Sequence, residues 1–169
     1  MTTPDGSAAP TATAPTAVVP SARDRLAARQ AELVATLVSG AAVPAGFDTR
    51  LVGAARAALL NKRAGDVSRH WPLLAAALGA EWSPTFRSWA ATRPTNGSLR
   101  DGWDLARELA AGGRLPAPAA EELAVREATW RYDGGSAPGR RRAPGLGRVG
   151  RVLALQVAGR VRLLRGGAG

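Results

Sequence analysis

Along the middle of the chain, apolar residues recur three and four positions apart, and each run carries a start and a stop signal. Ser21-x-x-Asp24 is a capping-box start with Asp in the place of Glu, followed by Leu26, Leu33, Val34 and Leu37 and stopped by Gly40. Asp48 caps a longer helix in which Val52, Ala55, Leu59 and Leu60 lead on to Val67, ending near Trp71-Pro72. Pro72 opens a short helix that runs through Leu78 and stops at Gly79, because proline suits a first helical turn. Ser83-Pro84 opens another, carrying Phe86, Trp89 and Ala90. Beyond a loop at Pro94 to Gly97, Ser98-x-x-Asp101 starts a helix with Leu99, Trp103, Ala106 and Ala110 on one face. Gly112-Gly113 ends it. Pro118, Glu121 and Glu122 begin the last helix, where acids favour the N-terminal dipole, and Leu123, Ala124, Glu127 and Trp130 continue it.

The flanks have a different texture. Residues 1–20 are mostly Ala, Thr and Pro, with Val18 and Val19 the only large apolar groups after Met1, too little to offset ordering entropy. Gly134 to Gly147 is Gly, Pro and Arg and reads as a linker. From Arg151 to Arg165 apolar residues alternate, at 153, 155, 157, 161 and 163, about Ala158-Gly159. The alternation favours a hairpin, although Ala-Gly matches the usual two-residue turns poorly. An amphipathic helix is the rival, with Gly159 costing it about 1 kcal/mol. The expected fold is therefore mainly α: a small orthogonal bundle of five to six helices over residues 22–133. A disordered leader over 1–21 precedes it. A Gly/Pro/Arg linker over 134–147 and a basic tail over 148–169, a short β-hairpin or helix, follow it.

The chemistry available is narrow. With no Cys there are no disulfides and no thiolate ligands or nucleophiles, and one His, His70, argues against a His-rich metal site or a Ser-His-Asp triad. His70 reads as a helix-end residue. No paired carboxylates form an acid/base arrangement: Glu121 and Glu122 are a helix start, and Asp101 and Asp104 are accounted for by cap and surface. The expectation is a protein that is not an enzyme and has no cofactor and no metal. Gly145-Leu-Gly147-Arg-Val-Gly150 matches G-x-G-x-x-G, but it has neither a strand before it nor an acid after it, so it reads as flexible linker. All five Trp lie between 71 and 130 and read as packing between Ala-rich helices. Trp82 and Trp130, near helix ends, are eligible for an exposed aromatic face. The N-terminus lacks a positive targeting region and no apolar stretch reaches the ~18–20 residues of a membrane span, which makes the cytoplasm the default address.

Charge divides the chain again. The formal net charge is +10, from 22 Arg and one Lys against 13 acids. Residues 21–133 are close to neutral, whereas 134–169 hold eight Arg and no acid. Arg140, Arg141, Arg142, Arg148, Arg151, Arg160, Arg162 and Arg165 are thus candidates for contacting a polyanion or an acidic partner. No aromatics are interleaved with them to stack on bases. On the second helix Arg56, Lys62 and Arg63 are a candidate partner-binding group, with Lys62 and Asp66 at the spacing of a surface ion pair.

Taken in order, Trp71-Pro72, Gly79, Phe86, Pro94, Ser98-Leu99, Leu115-Pro116 and Leu123-Ala124-x-x-Glu127-Ala128-x-Trp130 form a familiar series. Over residues 25–131 the chain resembles the N-terminal helical domain, long given a DNA-binding label, of the partner proteins of multinuclear non-haem iron-dependent oxidases (MNIO). In such systems the oxidase modifies cysteines of a ribosomally made peptide and the partner presents the peptide. The resemblance implies a non-enzymatic adaptor whose partners are an iron-dependent oxidase and its substrate peptide. The alternative is a nucleic-acid-binding protein using the Arg-rich tail. The family's second helix often carries Tyr-Arg-Asn-Asn, where this chain has Arg56-Ala-Ala-Leu-Leu-Asn61-Lys62-Arg63. Longer members add a second α/β domain, in whose place stand some 36 residues of basic tail.

Overall fold

A computed structural model describes residues 21–142 and 144–166. The leader expected over 1–21 lies almost wholly outside them. Six α-helices come first: α1 (Ala22–Ser39), α2 (Thr49–His70), α3 (Pro72–Leu78), α4 (Trp82–Ala90), α5 (Ser98–Ala111) and α6 (Ala117–Thr129), with a 3-10 turn between α3 and α4. Five strands follow: β1 (Trp130–Arg131), β2 (Gly139–Arg140), β3 (Gly145–Val149), β4 (Val152–Val157) and β5 (Arg160–Arg165). The start signals of the first three helices act as read, whereas α4 opens at Trp82, ahead of Ser83-Pro84 and without a side-chain cap, and α6 opens at Ala117 with no acid in its first turn. Ser21 and Asp24 form a reciprocal capping box, Asp48 Oδ1 accepts from the N–H groups of Arg50 and Leu51, and Pro72 holds the first position of α3. At α5 the cap differs. Gly97, not Ser98, is the N-cap, and Asp101 reaches back over the preceding loop.

The core is aromatic at its centre and alanine-lined at its edge. Trp71 and Trp103 are fully buried and meet edge-on with centroids 5.8 Å apart, and Phe86 lies between Trp82 and Trp89. Such pairs add about 0.5–1.5 kcal/mol to what their area burial contributes. The Trp71 indole donates to Leu99 O at 2.8 Å and lies against Gly102, where a Cβ would collide with the ring. Trp82 is buried, and Trp130 is half-buried beneath the Arg140 guanidinium 4.9 Å from its centroid. The five Trp therefore pack, as their clustering among Ala-rich helices implies.

The expected all-helical bundle with an appended tail is overturned by the C-terminal segment, which is a sheet and part of the fold. β1 and β2 pair antiparallel, and β3, β4 and β5 form a three-stranded antiparallel sheet in that order. The sheet lies on α6, and Val149, Val152 and Ala154 join the same hydrophobic core as the Trp cluster. Gly145 and Gly147, expected to be flexible, are instead contact residues. A Cβ at Gly145 would strike the carbonyl of Ala128, and one at Gly147 would strike that of Ala124 and come 2.8 Å from Ala128 N. Alanines 120, 124 and 128 form the buried stripe of α6 that accepts this approach. The G-x-G spacing is thus a strand's inward face against a small-residue helix, since alternate residues of a strand point the same way.

The β4–β5 turn is built on Ala158-Gly159, both with positive φ (49° and 78°), the backbone of a type I′ turn. The stretch expected to be a short hairpin or helix of a basic tail is instead two strands of a three-stranded sheet, β3 completing it. Because Ala158 occupies a left-handed conformation that costs a residue with a Cβ, Ala158→Asn should stabilise the protein by about 0.5–1 kcal/mol in urea unfolding.

Candidate functional site

Two places gather the charged residues. The first is where α5 begins. Asp101, 1% exposed, accepts from Arg63 Nε at 2.7 Å, Thr95 Oγ1 at 3.0 Å and Asn96 N at 2.9 Å. Arg63 also donates to the carbonyls of Arg93 (2.8 Å) and Pro94 (3.3 Å), and its guanidinium faces Phe86. One buried carboxylate and one arginine thereby fasten the 93–97 loop to α2 and α5. A groove of about 440 Å³ opens beside them, lined among others by Trp89, Arg93, Asn96, Asp104 and Glu108. Glu108 Oε2 accepts from Trp89 Nε1 at 3.0 Å and from Arg93 Nη2 at 3.1 Å. Asp104 Oδ2 lies 3.0 Å from the Tyr132 hydroxyl. These groups are spent on one another, and the groove's walls are a lock between helices.

The lock has a spectroscopic handle. Burial, first, and the hydrogen bond and charge of Asp104, second, push the Tyr132 hydroxyl up to about 12. Its folded pKa is raised, so this contribution to stability is fully present below the ordinary tyrosine value and is lost as pH rises through about 12. Burial also raises the Asp104 carboxyl. There the folded state holds its proton longer than the unfolded chain, so stability falls as pH rises from the ordinary aspartate value through the raised one. Tyr132 is the chain's single Tyr. The tyrosinate absorbance should therefore appear only as pH nears about 12, above that of a free tyrosine, and Asp104→Ala should bring it down.

The second place is the sheet and its approach. Of the eight candidate Arg, three are engaged in the fold. Arg140 covers Trp130. Arg141 Nε donates to the carbonyls of Glu127 and Trp130, at 3.1 and 3.0 Å. Arg165 forms a two-pronged pair with Glu121, at 2.6 and 2.9 Å. Arg142, Arg148, Arg151, Arg160 and Arg162 are exposed. The second-helix group is divided as well. Arg56 hydrogen-bonds the Ala91 carbonyl, Arg63 belongs to the Asp101 lock, and exposed Lys62 pairs with Asp66 at 2.8 Å. The partner of Arg63 was legible only as a cap, because Asp101 lies 38 residues away. Asp104, read as a surface residue, is held by Tyr132. Among the described residues no group of three or more His, Asp or Glu is placed to hold a metal ion. No helix among them is long and apolar enough to cross a membrane.

Comparison with known families completes the description. The SCO6045-like, C-terminal domain family matches residues 27–111, which run from α1 to the end of α5. The chain belongs to that family. It is also 38% identical over 136 residues to a UPF0276 protein of Streptomyces avermitilis, an alignment covering 80% of this chain and 28% of the relative. This SCO6045-like chain thus spans less than a third of the curated relative it matches, and the alignment is longer than the family's helical segment. No solved structure matches it.

Proposed function

We propose that the chain is a non-enzymatic adaptor that binds an iron-dependent peptide-modifying oxidase and presents the oxidase's substrate peptide. The observation that carries this reading is the coverage of the Streptomyces avermitilis relative. A segment 38% identical to this chain makes up 28% of a longer protein, so there the module works joined to other sequence. A module that occurs joined to other sequence is suited to associating with other protein surfaces. The resemblance of residues 25–131 to oxidase partner proteins names the kind of protein. The internally spent carboxylates at the head of α5 agree with a binding role rather than a catalytic one. Co-expression with an iron-dependent peptide-modifying oxidase from the same genome tests this: a stable complex at micromolar concentration is the expected result, and its absence overturns the reading.

The second reading, a nucleic-acid binder, is favoured by one feature, the five exposed Arg in a segment without acids. It requires affinity for duplex DNA or RNA that falls steeply with salt and loses slope when Arg148, Arg160 and Arg162 become Ala. Removing residues 134–169 would not be a clean test, because it would strip the sheet from α6.

A further inference from the structure

We propose that the outward face of the β3–β4–β5 sheet is a protein-docking surface whose partner is an aliphatic surface rimmed with carboxylates. The inference deepens the adaptor reading by naming the face used. The register assigns every side chain to a face. Gly145, Gly147 and Val149 lie opposite Gln156, Ala154 and Val152, and these turn towards α6. The residues between them turn away: Leu146 and Arg148 on β3, Leu153, Leu155 and Val157 on β4, Arg160, Arg162 and Leu164 on β5. An outward face of an antiparallel sheet is ordinarily polar. Here Leu146, Leu155, Val157 and Leu164 are 58%, 38%, 47% and 56% exposed.

The face is continuous. Leu146 lies opposite Leu155, which lies opposite Arg162. Arg148 lies opposite Leu153, which lies opposite Leu164, and Val157 lies opposite Arg160. Five aliphatic side chains thus form a band across three strands with three guanidiniums beside it. A contiguous aliphatic patch rimmed by polar groups is the surface of an interaction site. None of the ion pairs among the described residues involves Arg148, Arg160 or Arg162, whereas Arg165 on the inward side has found Glu121. The segment 134–169 contains no acid to serve them.

That charge pattern selects the occupant. A second copy of the same face would set three Arg against three Arg, so self-association through it is disfavoured. Nucleic acid would supply phosphates but leave the aliphatic band facing water, with no aromatic on which to stack a base. A protein surface of Leu, Val or Ile bordered by Asp and Glu satisfies both parts, through burial at the centre and charge complementarity at the rim.

Two probes test the face on the full chain. A synthetic decapeptide alternating Leu and Glu should shift the amide resonances of residues 146–164, and its Leu/Lys counterpart should not. With an iron-dependent oxidase from the same genome, the Arg160→Glu/Arg162→Glu double variant and Leu155→Glu should each weaken binding at least about tenfold. Arg87→Glu, exposed on α4, should leave it unchanged, and circular dichroism of every variant should match the parent. Peptide shifts without an oxidase complex would sink the adaptor reading and leave the face standing. A complex indifferent to the face variants, or equal response to both peptides, overturns the face. So does capture by phosphatidylglycerol vesicles of a chain that ignores the Leu/Glu peptide.

Discussion

Gly147→Val should destabilise the protein by about 3 kcal/mol, because the new side chain has nowhere to go. Its Cβ would meet the Ala124 carbonyl and Ala128 N, which are helix backbone and cannot rotate aside as a flexible side chain would. The sheet must then lift from α6, withdrawing Val149, Val152 and Ala154 from the core. The expected reading is a large drop in the urea midpoint. Gly139→Ala, where an added Cβ meets nothing within 4 Å, should change stability by no more than about 0.5 kcal/mol. Equal tolerance at the two positions would mean that β3 does not rest on α6.

Asp101→Ala should cost about 3–5 kcal/mol, the cost of removing one partner of a buried ion pair. It strands the Arg63 guanidinium, itself largely buried, and leaves Thr95 Oγ1 and the Asn96 N–H without their acceptor. Arg63→Met combined with Asp101→Leu should cost less than Asp101→Ala alone, since a buried pair replaced whole leaves no uncompensated charge. Urea unfolding of the two variants checks the order. The reverse order would mean that the lock is solvated and incidental.

The helices were legible because their signals are local. Ser21 with Asp24, Asp48 and Pro72 act within one turn of themselves, and a turn can be read from four residues. The sheet was legible only in part. The alternation around Ala158-Gly159 marked extended chain, but β3 carries just Leu146, Arg148 and Val149 among glycines, which reads as linker, so the sheet was mistaken for a short hairpin or helix of a tail. Its glycines are explained by alanines 17 to 23 residues upstream on α6, a packing relation that leaves no periodic mark in the strand. The Asp101 lock failed to appear for the same reason: Arg63, Thr95 and Asp101 converge through folding. The clustering of Arg was plain from the start, yet its meaning depended on faces. Arg140, Arg141 and Arg165 serve the fold, and Arg148, Arg160 and Arg162 stand beside an aliphatic band that is visible only once register separates the two sides.

The central claim is that the Arg-rich C-terminal segment is a folded sheet seated on α6 rather than a free basic tail. Hydrogen exchange of the native chain, followed residue by residue, tests it most directly. The amides of Leu153 and Leu155 in the central strand β4 should be protected to the same degree as those of Leu105 and Leu123 in α5 and α6. All of them should lose protection together when Gly147 becomes Val. Exchange of residues 145–165 at the rate of an unstructured peptide, with α5 and α6 still protected, would contradict the account.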